Sequence, residues 1–246
     1  MDRLIYTAMT GAKHTFLQQA GVAQNLANAS TNGYRSEEHR FRAVPLQGDG
    51  LPTRAFVVDA SVKNVFDQGP MMFTGNSLDS AIQGKGWFAV LDANGQEAYT
   101  RAGSFVVNAN GQLQTKTGLT VMGDGGPLAI PQDSNIEIGA DGTISVVQNY
   151  GIPNTSNIIG RLKLVNPPED QLVRGDDGLF RQASGQPAPF DANIQVAPQT
   201  VEGSNVNVVD TMVSLISLSR QFEMQMEMLK KADTNAQAAD QVLTVA

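Results

Sequence analysis

Residues 24–35 read Gln24-Asn-Leu-Ala-Asn-Ala-Ser-Thr-Asn-Gly-Tyr-Arg35. They close an apolar-periodic segment that starts almost at residue 1. Ser30, Thr31 and Asn32 compete for backbone hydrogen bonds, and Gly33 supplies the positive φ on which helices end. The spacing therefore predicts a helix that stops abruptly, with Tyr34 and Arg35 following at once. Taken alone, such a stop is an ordinary C-cap. The length and order of the run ask for more than a cap.

Upstream, from residue 4 to residue 27, apolar residues fall at steps of four and three: Ile5, Met9, Ala12, Phe16, Ala23 and Leu26, with Gln19 as the polar member. This is the narrow stripe of a coiled-coil seam rather than the broad face of a core helix. Gly11 and Gly21 each cost about 1 kcal/mol relative to alanine inside a helix. A helix this short and glycine-bearing is marginal alone, so its stripe needs a cover.

The expected cover lies at the other end. From Val208, Leu215, Phe222, Leu229, Ala236 and Leu243 recur every seven residues, and Met212 and Met226 occupy an offset row interrupted by Ser219, Asp233 and Asp240. Asn205 or Asn207 is placed to cap this helix, which over residues 208–243 would be roughly 54 Å long. The methionines Met212, Met224, Met226 and Met228 read as adaptable packing. Residues 1–35 carry three basic groups against one acidic, and residues 205–246 three basic against five acidic. That balance favours pairing modestly.

Between the ends the period becomes strand-like. Trp87–Leu91 precedes Asn94-Gly95, residues 99–107 precede Asn110-Gly111, Val121-Met122 precedes Asp124-Gly125, and residues 136–138 precede Asp141-Gly142. Asx-Gly is the preferred tight-hairpin pair because both turn residues must accept positive φ. The expected fold is α+β. Terminal coiled-coil-type helices pair with each other and with neighbouring subunits, around a central antiparallel β domain that forms a small barrel or a sandwich with an appended hairpin. The expected divisions are 1–35 for the N-terminal helix and turn, 36–75 and 186–204 as connecting segments, 76–185 for the β domain and 205–246 for the C-terminal helix. The β domain starts about forty residues past Gly33 and is expected not to need that turn for its own core.

Composition bounds the function. The 246 residues are 41% hydrophobic and 17% charged, with 24 glycines, no cysteine and a net charge of −7. Absent cysteine excludes disulfides, thiolate metal sites and cysteine nucleophiles. The acidic balance argues against a general nucleic-acid binder. No run reaches the roughly 18 apolar residues of a membrane span, and the N-terminus lacks the pattern of a cleaved signal peptide. His14 and His39 have no partner at metal-ligand spacing and are expected at the surface. Gly84-Lys85-Gly86 lacks the spacing of a phosphate loop. Asp92-Ala-Asn-Gly-Gln-Glu97 reads as a hairpin turn rather than a calcium loop. Nothing singles out a catalytic residue, a metal ligand, a cofactor or a small-molecule substrate.

The run at 24–35 resembles the signature of the axial proteins of the bacterial flagellum (rod, hook and hook-associated), Asn-Asn-Leu-Ala-Asn-x-Ser/Thr-Thr-x-Gly-Phe/Tyr-Lys/Arg. Asn25, Leu26, Ala27, Asn28, Ser30, Thr31, Gly33, Tyr34 and Arg35 match, and Gln24 departs. Residues 74–88, 99–105 and 110–113 resemble the β domain of the same family, and residues 201–208 the approach to its C-terminal helix. The opening Met-Asp-Arg-Leu-Ile-Tyr-Thr-Ala-Met and the modest length are most similar to proximal-rod members, with distal-rod and hook proteins as close alternatives. The resemblance implies a non-enzymatic subunit of the axial drive shaft that transmits torque across the periplasm. Its partners would be copies of itself, neighbouring rod proteins and the flagellar type III export machinery, which would deliver it uncleaved. It implies no cofactor. Other classes remain open at this point: a secreted β-domain adhesin whose terminal helices make a closed oligomer, or a hydrolase with its site in the β body.

Overall fold

A computed structural model describes residues 2–45, 55–131, 134–148 and 156–244. The described chain is α+β and divides into two compact units, one of residues 1–29, 36–65 and 206–246, the other of residues 30–35 and 66–205.

The first unit holds helix α1 (Asp2–Ala27), an antiparallel ribbon of β1 (Glu37–Pro45) and β2 (Ala55–Asn64), and helix α2 (Val208–Thr244). The helices pack on each other, with Gln19 Nε2 donating to Ser219 Oγ at 3.2 Å and the Phe16 and Phe222 rings 6.4 Å apart. Ala8, Ala12 and Thr15 of α1 are buried, as are Leu218 and Ala232 of α2. Asn207 is the cap of α2: its Oδ1 accepts the amides of Val209 at 3.0 Å and Asp210 at 3.4 Å, while its Nδ2 donates to Asp210 Oδ2 at 2.7 Å. This reciprocal arrangement satisfies two donors that the first turn leaves open.

The ribbon is a departure from the expected connecting passage at 36–75. Four of the nine residues of β1 are charged, so no clean alternation marks it in sequence. The register slips between Arg40 and Phe41. His39 and Phe41 sit two apart and share a face, as strand geometry requires. The Phe41 ring lies 5.7 Å from that of His14 and 6.4 Å from that of His39. The histidines expected at the surface are therefore half-buried around one aromatic ring.

The second unit is an antiparallel β body. Among the described residues its main sheet has nine strands, and a three-stranded sheet of Ser134–Ile138, Thr143–Gln148 and Ser156–Arg161 adds to it. The strand Trp87–Leu91 is apolar on both faces because it lies between two hydrophobic clusters. Phe88 and Val90 enter one cluster with Ile82, Leu113, Val121, Ile144 and Leu164, while Trp87 and Ala89 enter the other with Tyr99, Val165 and Phe180. Strand alternation makes that division.

The two copies of Ala-Asn-Gly-Gln fold alike. Asp92 Oδ1 accepts the amides of Asn94 and Gln96, and Asn108 Oδ1 those of Asn110 and Gln112. Asp92 thus serves a side-chain-closed turn. Arg181 Nη2 reaches Asp92 Oδ2 at 2.8 Å and Asp177 Oδ2 at 2.5 Å.

The body extends beyond 76–185 on both sides. Gln195–Pro198 pairs with Ser80–Gln83, and Thr200–Glu202 pairs with Met71–Phe73. The Ala188 amide donates to the buried Tyr99 hydroxyl at 2.7 Å, and burial pushes that phenol up to about 12. Residues expected as connectors on either side are hence part of the sheet structure. Their strands are three or four residues long, too short to show a period.

Candidate assembly site

The signature run is shared between the two units. In the first, α1 ends as Asn28 and Ala29 fold back onto the carbonyls of Gln24, Asn25 and Leu26. The Asn28 side chain also donates to the Gln24 carbonyl at 2.9 Å, a contact that needs only the backbone of the departing position 24. Asn25 does different work. Its Nδ2 donates to the Glu37 carbonyl at 2.8 Å and its Oδ1 accepts the Glu37 amide at 3.0 Å, so the side chain pairs with β1 as a strand backbone would. Aspartate lacks the donor, and glutamine, one methylene longer, would carry its amide past both partners. Leu26 is half-buried and Ala27 exposed.

In the second unit, residues 30–35 are seated on the β body. Ser30 and Thr31 are exposed, the Thr31 carbonyl accepts the Tyr34 amide at 3.3 Å, and Asn32 Nδ2 donates to Ser104 Oγ at 3.3 Å. Gly33 has φ of +70° and donates its amide to the Glu202 carbonyl at 2.8 Å. A Cβ at this position would stand 2.3 Å from the Arg101 carbonyl carbon. Glycine is thus required twice, by its left-handed backbone and by the closeness of another chain segment. Tyr34 is buried, with the Arg174 guanidinium 4.6 Å above its ring, and Arg174 Nη1 donates to the Arg35 carbonyl at 3.0 Å.

Arg35 ends the run inside the protein. Its Nη2 lies 2.6 Å from Glu202 Oε1, and both side chains are 0% exposed. Glu202 Oε2 accepts Arg101 Nη1 at 3.1 Å, and Glu202 Oε1 also accepts the Gly69 amide at 3.0 Å. One carboxylate thereby faces two guanidiniums. Burial holds the Arg101 guanidinium down to about 10, with Glu202 opposing the shift and the charge of Arg35 adding to it. Arg101 Nη2 donates to the Gly84 carbonyl at 2.5 Å. The Nε and Nη1 of Arg35 have no hydrogen-bond acceptor among the described residues.

This placement overturns the expectation that the β body is independent of the turn at Gly33. Arg101, Arg174 and Glu202 were not singled out in sequence. Arg101 and Glu202 stand inside stretches quoted for their family likeness, but charged side chains read as solvated until a partner is seen.

The expected helix seam differs from the face that the chain buries within the first unit. Ile5, Leu215, Phe222 and Leu229 are half-buried, and the rings of Phe16 and Phe222 approach to 6.4 Å. Met9 and Phe16 are 54% and 59% exposed, and Met212 and Met226 are each 48% exposed. The buried line on α1 runs through Ala8, Ala12 and Thr15, of which only Ala12 belongs to the expected stripe, and on α2 the second row is Leu218 and Ala232. Alanine and threonine let two backbones approach closely, whereas Met9 and Phe16 stand to the flank. The offset row expected at Met212 and Met226 therefore lies three residues to the wrong side of Leu215 and Leu229. The side chains of Asp240 and Leu243 lie outside the described residues.

Helices at both ends, a β body between them and a signature turn locked into that body define an axial-protein architecture, and comparison with known proteins agrees. The family described as the flagellar hook protein FlgE/F/G D1 domain matches residues 81–146, and the flagellar basal body rod FlgEFG protein C-terminal family matches residues 197–242. The flagellar basal-body rod protein FlgF of Escherichia coli (strain K12) is 45% identical over 251 residues, covering 100% of both chains. That of Salmonella typhimurium is 42% identical over the same span and coverage. The rod protein FlgG of Agrobacterium fabrum is 34% identical over 95% of this chain and 97% of its own. The chain belongs to the flagellar basal-body rod proteins, and within them to the FlgF type.

Proposed function

We propose that the chain is a structural subunit of the flagellar basal-body rod, in the proximal segment, carried out by the flagellar type III export system and built into the shaft that passes torque across the periplasm. The observation that supports this reading most strongly is the apolar surface of the terminal helices. Tyr6, Met9 and Phe16 on α1, and Val209, Val213, Ile216, Met224 and Met228 on α2, are all exposed. Apolar stripes this long are unusual on a chain that works alone, and they mark a surface that is covered in an assembly. The positions on α2 fall at steps of four, three, eight and four, which keeps them near one face of the helix.

Such stripes pair coiled-coil fashion with the terminal helices of neighbouring copies and of adjacent rod proteins. A head-to-tail contact of this kind that does not close generates a filament. Asn25, Leu26, Ala27, Asn28, Ser30, Thr31, Gly33, Tyr34 and Arg35 act in assembly by fixing the turn, and Met9, Phe16, Met212 and Met226 act on the outward flank of the helices. A distal-rod position, which the family resemblance left open, is the second reading. Deleting the gene and imaging basal bodies separates the two. Loss of all rod beyond the earliest segment supports a proximal place, a short proximal rod that lacks only its outer part supports the distal one, and intact rods overturn both.

A further inference from the structure

We infer that Glu202 is a positioning residue that latches the two ends of the β body together, so that the signature turn becomes ordered only when the segment leading to α2 is in place. The inference rests on the reading of the chain as a rod subunit and adds a residue that neither the signature nor the helix faces contain.

Besides the strand end that carries Arg101, three chain segments distant in sequence meet at this one residue. The first is the signature turn, held by the Gly33 amide on the Glu202 carbonyl and by Arg35 on the carboxylate. The second is the passage around residue 69, whose Gly69 amide reaches Glu202 Oε1 at 3.0 Å. The third is the run at 201–205, to which Glu202 belongs. Its neighbours repeat the pattern: the Gly203 amide donates to the Pro70 carbonyl at 2.8 Å, the Asn205 amide to the Tyr34 carbonyl at 3.4 Å, and Asn205 Nδ2 to the Asp67 carbonyl at 3.1 Å. The segments cross so closely that a Cβ on Gly69 would stand 2.1 Å from the Gly203 carbonyl oxygen.

The charge count explains why this is a latch rather than a passive core contact. Without Glu202, Arg35 and Arg101 would be two buried cations with no carboxylate between them. A buried charge that loses its partner is strongly destabilising. The turn therefore has no stable seat until the carboxylate arrives from the far end of the chain. With Arg35 absent, by contrast, Glu202 and Arg101 remain as a balanced pair. The two positions are thus expected to respond differently, and a role in stability alone would not tie the loosening of the turn to loss of assembly.

The test uses the full chain and two substitutions, Arg35→Met and Glu202→Gln, with amide hydrogen exchange, thermal melting and rod assembly in a strain lacking the gene. Arg35→Met is expected to lower the melting temperature of the body, but by less than Glu202→Gln does. It should speed exchange at Gly33 and Asn205 at least tenfold, leave Gly69 protected and abolish incorporation into rods. Glu202→Gln is expected to speed exchange at Gly33, Gly69 and Asn205 together and to lower the melting temperature. If Arg35→Met leaves Gly33 as protected as in the wild type, or speeds its exchange yet assembles normally, the latch is overturned. Equal losses of melting temperature in both variants would also overturn it, since they show a contact that serves stability only. If the wild-type chain itself restores no rods, the rod reading fails, and the exchange pattern still decides whether Glu202 couples the two ends.

Discussion

Gly33 shows how one residue can carry two unrelated demands. Its φ of +70° disfavours any side chain, and the Arg101 backbone occupies the space where a Cβ would go. The conformational demand alone is worth about 1–2 kcal/mol. The steric one adds to it, because a backbone cannot swing aside as a flexible side chain does. Gly33→Ala is therefore expected to destabilise the β body by at least about 2 kcal/mol. Urea unfolding of the full chain, followed through Trp87 fluorescence, measures this. A midpoint equal to that of the wild type would show that the turn yields without cost.

At the same scale, the buried charges mark what sequence cannot display. Gly33 announces a left-handed turn by its residue type and its place after Ser-Thr-Asn. Arg35, though part of the signature run, and Glu202 announce no burial. Each is a surface residue by composition, and only the fold brings them within 2.6 Å. Asn25 is intermediate: an asparagine near a helix end suggests capping, but its pairing with the Glu37 backbone depends on a ribbon that sequence did not reveal.

Among the elements, helix ends and Asx-Gly turns were legible because their causes are local. Asn207 caps α2 with its own side chain, and Asp92 and Asn108 close their own turns. Which face of each helix is buried was legible only in part: Ala12 is buried and Leu215, Phe222 and Leu229 half-buried, whereas Met9, Phe16, Met212 and Met226 are exposed. Hydrophobicity ranks Met9 and Phe16 above Ala8 and Thr15, yet Ala8 and Thr15 are the buried ones, and that choice belongs to the partner surface. The ribbon β1–β2 was missed for a related reason. Its strands are tied by register to each other and by His39 and Phe41 to a helical neighbour, and four charges hide that pattern. For the cap, Asn207→Ala removes the acceptor of two first-turn amides. It should cost about 1 kcal/mol, within the usual range of 0.5–2 for such caps, and fray the first turn of α2. Hydrogen exchange at Val209 and Asp210 reads the effect. Unchanged protection there would mean that packing, not the cap, holds the helix start.

Across the whole molecule, the acidic chain depends on a few carboxylates that are held ionised. Asp92 and Asp177 lie below the ordinary value of 3.8, in each case chiefly through the Arg181 guanidinium. A carboxylate whose folded value is depressed contributes stability above its ordinary value and loses it as pH falls through the folded one. The β body should therefore hold to pH values near 3.8 and weaken below them. Arg181→Met returns both carboxylates toward 3.8 and raises the pH at which acid unfolds the body. An acid midpoint that does not move would place the pH dependence elsewhere.

The central claim is that the outward apolar face of α2 is covered by neighbouring axial subunits in the rod. The chain has no cysteine, so one introduced thiol reports without interference. Val213 is exposed on that face. With Val213→Cys in an otherwise unchanged chain, the rate of maleimide labelling is compared between the purified protein and isolated basal bodies. The account predicts rapid labelling of the free chain and labelling at least tenfold slower in basal bodies that contain it. Equal rates in the two would contradict it, because the face would then be as open in the rod as it is in the single chain.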